Sequence, residues 1–166
     1  GITFWDCADQ YGTHPHLREA LKSVQRERVV ILSKTHASTE KEMRADLDRF
    51  RRELNTDYID ILLLHCMLDA SWPERKKGAM DYISQAREKG IVRTHGVSCH
   101  TIEALKTAAR TPWVARCTKA YHACNGETSS ASSMPPPILT AHQIAIRTAK
   151  GSSILKPRNP CHSPPR

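Results

Sequence analysis

The chain is short of aromatic residues, long apolar runs and closely paired cysteines, and each shortage removes a class of protein. Its longest apolar stretch, residues 59–64, is interrupted by Asp60. That falls far below the roughly 18 residues a membrane span requires. No apolar leader precedes the first patterned segment, so the expectation is a chain neither inserted into a membrane nor secreted. The six cysteines, at positions 7, 66, 99, 117, 124 and 161, contain no CxxC spacing, so reduced thiols in a cytoplasmic chain are expected. Only 39% of the 166 residues are hydrophobic and 5% aromatic, with a mean hydropathy of −0.52.

Acidic residues are missing from one part of the chain only. Residues 1–114 hold 18 Lys/Arg and 16 Asp/Glu, net +2, whereas residues 115–166 hold 7 and 1, net +6. The overall charge of +8 therefore belongs mainly to the second part, which also carries 7 of the 10 prolines. The composition divides the chain into a patterned domain, 1–114, and an irregular or disordered basic Pro/Ser-rich tail, 115–166. Six net positive charges over that length, with Tyr121 the lone aromatic able to stack on a base, argue against nucleic-acid binding.

What the first part does contain is alternation. Residues 2–5, 29–33, 58–64 and 91–98 read as strands because β-branched and large apolar residues fill them. Residues 16–24, 40–54, 73–89 and 102–109 read as helices, the second with Met43, Leu47, Phe50 and Leu54 at helical spacing. Thr39 with Glu42 has capping-box spacing, Gly90 closes the third helix and Thr101 caps the fourth. Such alternation, with nearly continuous apolar strands, implies a parallel sheet covered by helices, either doubly wound or part of a (β/α)8 barrel.

Each strand ends in polar chemistry: Asp6 and Tyr11, then Lys34, then His65, then Ser98, Cys99 and His100. Ligands bind at the carboxyl edge of parallel α/β sheets, so these residues form one candidate site. Strand parity sends Lys34 inward with Leu32 and Val30, and His65 inward with Leu63 and Ile61, leaving Leu62 and Leu64 for the helix layer. The same parity turns Cys7 and Cys66 toward the helices and so argues against a metal cluster. A phenol, with an ordinary pKa of about 10, is a poor acid at neutral pH unless a cation stabilises its phenolate. Lys34 could be that cation, Asp6 its support, and a neutral His65 a hydrogen-bond donor to a carbonyl oxygen.

Four segments carry a family resemblance: Phe4-Trp5-Asp6-Cys7-Ala8-Asp9-Gln10-Tyr11-Gly12, Ile31-Leu32-Ser33-Lys34-Thr35, residues 57–65 ending in His65, and residues 90–98 ending in Ser98. In order and spacing they resemble the signatures of the aldo-keto reductases, over residues 1 to about 113. The resemblance implies a partial (β/α)8 TIM barrel of about four β/α units, from the family's second strand to its fifth helix. It further implies NADPH-dependent reduction of a small aldehyde or ketone, with Asp6, Tyr11, Lys34 and His65 as the catalytic tetrad and Tyr11 as general acid. Ser98 matches a residue that holds the nicotinamide carboxamide, and Cys99 stands where many members have Asn. A whole barrel needs about 250 residues, and the family's phosphate contacts lie mostly in later strands. The alternative is therefore a catalytically inactive fragment or binding module that lacks the cofactor phosphate site. Half a barrel also leaves its first and fourth strands as open edges through which copies could pair. Gly1 rather than Met abuts the first strand, which agrees with a fragment. A frameshift near Val114 would account for the tail, since residues 115–123 read one base later can encode a strand-like run followed by Arg and Pro.

Overall fold

The structure, a computed structural model, describes residues 1–119 and the two-residue strand Ala145–Ile146. In chain order the elements are β1 (Phe4–Asp6), α1 (His14–Leu21), β2 (Val30–Thr35), α2 (Glu40–Leu54), β3 (Ile59–Met67), α3 (Trp72–Arg75), α4 (Lys77–Glu88), β4 (Val92–Cys99), α5 (Ile102–Arg110), β5 (Arg116–Lys119) and β6 (Ala145–Ile146). Strands β1 to β5 pair in sequence order and in parallel, and β6 adds antiparallel to β5. Five parallel strands with helices between them make a curled half-barrel, a part of the (β/α)8 fold.

Helix α2 shows why these residues form these elements. Thr39 Oγ1 accepts the Glu42 amide, the Glu42 carboxylate accepts the Thr39 amide, and the helix ends at Asn55 in the left-handed region at φ 53°. Between those signals Met43, Leu47, Phe50 and Leu54 all lie 1% exposed or less. Burying each such side chain stabilises the fold by about 1.5–3 kcal/mol. At α4 the left-handed Gly90, φ 74°, releases the chain into β4.

Alternation along the strands separates two apolar layers. Ile31, Leu62, Leu64, Val97 and Cys99 join the helix-side core, while Leu32, Ile61 and Leu63 form a separate inner cluster. The predicted parity of β2 and β3 holds through Leu64. Beyond it the register slips, Cys66 takes φ 64°, and Met67 pairs with Cys99. Parity would turn Cys66 toward the helices, but this bulge leaves its side chain half-buried in the same groove as His65.

Two further differences concern the edges. The sheet runs past Val114, because β5 pairs with β4, so β4 is not an open edge. Strands β4 and β5 approach so closely that a Cβ on Gly96 would lie 1.6 Å from the Arg116 carbonyl oxygen, and only glycine fits there. Strand β1 remains an edge, with Ile2, Phe4 and Val30 exposed. The rest of the expected tail lies outside the described residues.

Candidate active site

Strand β1 delivers Asp6 to the carboxyl edge, and the single 3-10 turn that follows, Asp9–Tyr11, carries Tyr11 back over it. Gly12 closes this turn at φ 62°. Strand β2 supplies Lys34 and β3 supplies His65, both on the inner face, and both side chains are largely buried. Lys34 Nζ donates to the Asp6 carboxylate, lies 3.3 Å from the Cys7 carbonyl oxygen and 3.5 Å from the Tyr11 hydroxyl. The ring of Tyr11 meets that of His65 edge-on, with centroids 5.8 Å apart. All four predicted tetrad residues thus share one cluster.

Tyr11 is 52% exposed, and a groove opens beside it, past the His65 ring that it meets. That groove encloses about 460 Å³ and is lined in part by His36, His65, Cys66, Leu68 and Lys76. Burial pushes the His65 imidazole down to about 4, and nearby His36, Lys34 and His100 add to the effect. His65 is therefore neutral at pH 7. Its Nδ1 is buried without a hydrogen-bond partner among the described residues. A neutral imidazole carries one N–H donor and one acceptor, which suits it to orient a polar ligand atom.

The two predicted cofactor residues part company. Ser98 is buried and, by alternation from Val97, lies on the inner face of β4. Cys99 does not join it: its side chain sits in the helix-side core, with Sγ 3.7 Å from Cys117 Sγ. The position after Ser98 has the opposite parity, which is why the two side chains lie on opposite sides of β4.

Sequence reasoning missed the network behind the site. Arg49 on α2 binds Asp9 at 2.7 Å, Asp46 at 2.9 Å and Glu53 at 3.1 Å. His14, buried, links Glu53 (2.7 Å) to the Ser33 hydroxyl (2.9 Å). The signal was present: Asp46, Arg49 and Glu53 stand at i, i+3 and i+7, a polar stripe flanking the apolar stripe of the same helix.

Comparison with known proteins places this geometry. No curated protein sequence matches the chain significantly. An aldo-keto reductase from Klebsiella pneumoniae solved with NADPH is 26% identical, at a TM-score of 0.57 over 70% of this chain and 42% of its own. One from Pseudomonas aeruginosa is 27% identical, at 0.60 over 66% and 45%. The holo form of one from Bacillus halodurans, 19% identical, shares the fold at 0.64 over 73% and 44%. The chain thus spans less than half the length of each of these structures. The model of the aldo/keto reductase family matches residues 1–124, and the chain belongs to that family.

Proposed function

We propose that the cluster of Asp6, Tyr11, Lys34 and His65 is the proton-donating half of an NADPH-dependent reduction of a small aldehyde or ketone. The observation that carries this reading is the placement of one buried ammonium, Lys34, between the Asp6 carboxylate and the Tyr11 hydroxyl. Membership of an oxidoreductase family and a neighbour solved with NADPH support the cofactor class.

In this mechanism the carbonyl oxygen of the substrate lies where the Tyr11 and His65 rings meet, at the end of the groove that His65 lines. The N–H of neutral His65 donates to that oxygen and orients it. Tyr11 gives up its hydroxyl proton as negative charge develops there, and the Lys34 ammonium stabilises the phenolate left behind. Asp6 holds that ammonium charged and aimed. Bound NADPH supplies the hydride. Ser98, buried on the inner face of β4, would hold the carboxamide of the nicotinamide.

No helix among the described residues is long and apolar enough to cross a membrane. The described cysteines form no disulfide, as suits the cytoplasmic action proposed here. The test is NADPH oxidation by the purified chain with an aromatic aldehyde, followed at 340 nm. Tyr11→Phe lowers kcat by about 10²–10⁴-fold, the usual contribution of general acid catalysis, with NADPH affinity unchanged by fluorescence titration. Unchanged turnover in that variant, or a chain that neither binds nor oxidises NADPH, overturns the reading.

A further inference from the structure

Tyr11 stands on the least anchored part of the site. The turn Asp9–Tyr11 contains no buried residue, and its amide bonds close within the turn, Tyr11 N to Ala8 O and Gly12 N to Asp9 O. The contact between Tyr11 and Lys34, at 3.5 Å, is at the limit of a hydrogen bond and cannot by itself fix a half-exposed ring. Besides the contacts of the Tyr11 ring with His65 and with the Lys34 ammonium 4.8 Å from its centroid, the turn is tied to the body of the protein by Asp9 Oδ1, which accepts from Arg49 Nη1 at 2.7 Å.

Arg49 reaches the other half of the contact as well. Its Nη2 donates to Asp46 Oδ1 at 2.9 Å, and Asp46 Oδ2 accepts from the Thr35 hydroxyl at 2.5 Å. Its Nη1 also donates to Glu53 Oε1 at 3.1 Å, Glu53 binds His14, and His14 binds the Ser33 hydroxyl. Ser33 and Thr35 flank Lys34 on β2. One guanidinium therefore joins the turn that carries Tyr11 to both neighbours of Lys34. The charges agree with the geometry: hydrogen bonding to Arg49 lowers Asp9 below the usual carboxylate range, and the carboxylates raise Arg49. Only a planar fork with five donors meets three carboxylates at fixed angles, which a lysine ammonium does not.

We propose that Arg49 is a positioning residue that, through Asp9 on one side and Asp46 and Glu53 on the other, holds Tyr11 against Lys34. The inference rests on the reading of Tyr11 as the general acid, and its test separates the two. In the full chain, Asp9→Asn and Arg49→Gln each raise amide hydrogen exchange at Tyr11 and Gly12 at least about tenfold, with Ile31 and Leu62 unchanged. In the NADPH-dependent aldehyde assay both variants lower kcat about 10- to 100-fold with KM for NADPH within twofold. Arg49→Lys recovers part of kcat, and the double variant is no worse than either single one. Thr39→Ala, which removes the α2 capping box but leaves the contacts of Arg49 intact, lowers the unfolding midpoint without moving Tyr11 exchange or kcat. Unchanged exchange at Tyr11 and Gly12, exchange raised equally at Ile31, or full kcat in Arg49→Gln beside an inactive Tyr11→Phe overturns the proposal. If Tyr11→Phe itself keeps full turnover, the functional reading fails, while the exchange measurement still decides whether Arg49 anchors the turn.

Discussion

At the amino end of the sheet Asp60 on β3 is buried among two arginines and a tyrosine. Its Oδ2 accepts from Arg26 Nη2 at 2.6 Å and from the Ile31 amide at 2.9 Å, and its Oδ1 from Arg93 Nη1 at 2.9 Å. The two guanidiniums sandwich the Tyr58 ring at 4.1 and 3.9 Å, and Arg26 also donates to Thr56 and to the carbonyls of Val29 and Tyr58. At the carboxyl end of the same strands, Lys34 is equally buried, but Tyr11 is half exposed and His65 Nδ1 has no partner among the described residues. Both ends pack charge between strands. The amino end pairs its charges with one another and leaves the Tyr58 hydroxyl buried without a partner among the described residues, whereas the carboxyl end sets its buried ammonium beside a half-exposed phenol. In a (β/α)8 barrel that asymmetry separates stability from chemistry.

The difference is sharpest if one charge is removed from each end. Lys34→Met keeps the volume and removes the ammonium that sits between Asp6 and Tyr11. The proposed NADPH-dependent reduction should fall about 10³-fold, within the range of general acid catalysis. The unfolding midpoint should move little, because the Asp6 side chain is 30% exposed and water can replace its partner. A large loss of stability with turnover intact would reverse the assignment of the two ends.

Asp60→Asn is the opposite experiment. It leaves Arg26, whose side chain is only 14% exposed, with an uncompensated charge. Removing one partner of a buried pair costs about 3 kcal/mol, measurable as a lower urea midpoint, and the proposed turnover should stay at the parent level. Arg93→Gln should cost less than about 1 kcal/mol, since that side chain is 55% exposed and its pairing is screened by solvent. Equal effects from the two substitutions would mean that the amino-end cluster does not pair its charges in the way described above.

The sequence was a good guide wherever a local rule decided the outcome. Helix α2 spans the predicted 40–54 because its cap and its apolar stripe are both local. The clustering of Asp6, Lys34 and His65 at one edge was legible because strand ends in a parallel sheet are marked by the same apolar runs that define the strands. What escaped depended on distant partners. The predicted helix over 73–89 is broken at Lys76, whose ammonium turns to the carbonyls of His36 and Ala37 and to the Ser38 hydroxyl. Strand β1 starts at Phe4 rather than Ile2 because its ladder begins opposite Val30. Cys66 was misplaced because no residue type announces the bulge after Leu64, and Arg49 was passed over because a charged stripe on a helix ordinarily faces water.

The remaining contrast is the pH dependence, and it separates the two roles within one residue. Burial holds His65 at about 4, and holds His95, stacked on Trp113 in the helix layer, at about 4 as well. An unfolded histidine takes up its proton near pH 6.5. Between pH 6.5 and about 4 the unfolded chain therefore binds protons that the folded chain refuses, so stability declines as pH is lowered through that window and levels off below it. Each histidine contributes at most about 1.4 kcal/mol per pH unit to the slope, and His65→Asn or His95→Asn should each flatten the urea midpoint plotted against pH. Turnover at the carboxyl end responds differently. Since His65 stays neutral in the folded chain until about pH 4, the hydrogen bond proposed for it with a carbonyl oxygen should persist down to that pH while global stability has been falling since pH 6.5. Rates taken at urea-free, fully folded conditions should show no protonation step from His65 between pH 6.5 and 5. A step in that interval that disappears in His65→Asn would mean that the imidazole is hydrated, and that the groove at the carboxyl end is as open to water as the surface of the amino end.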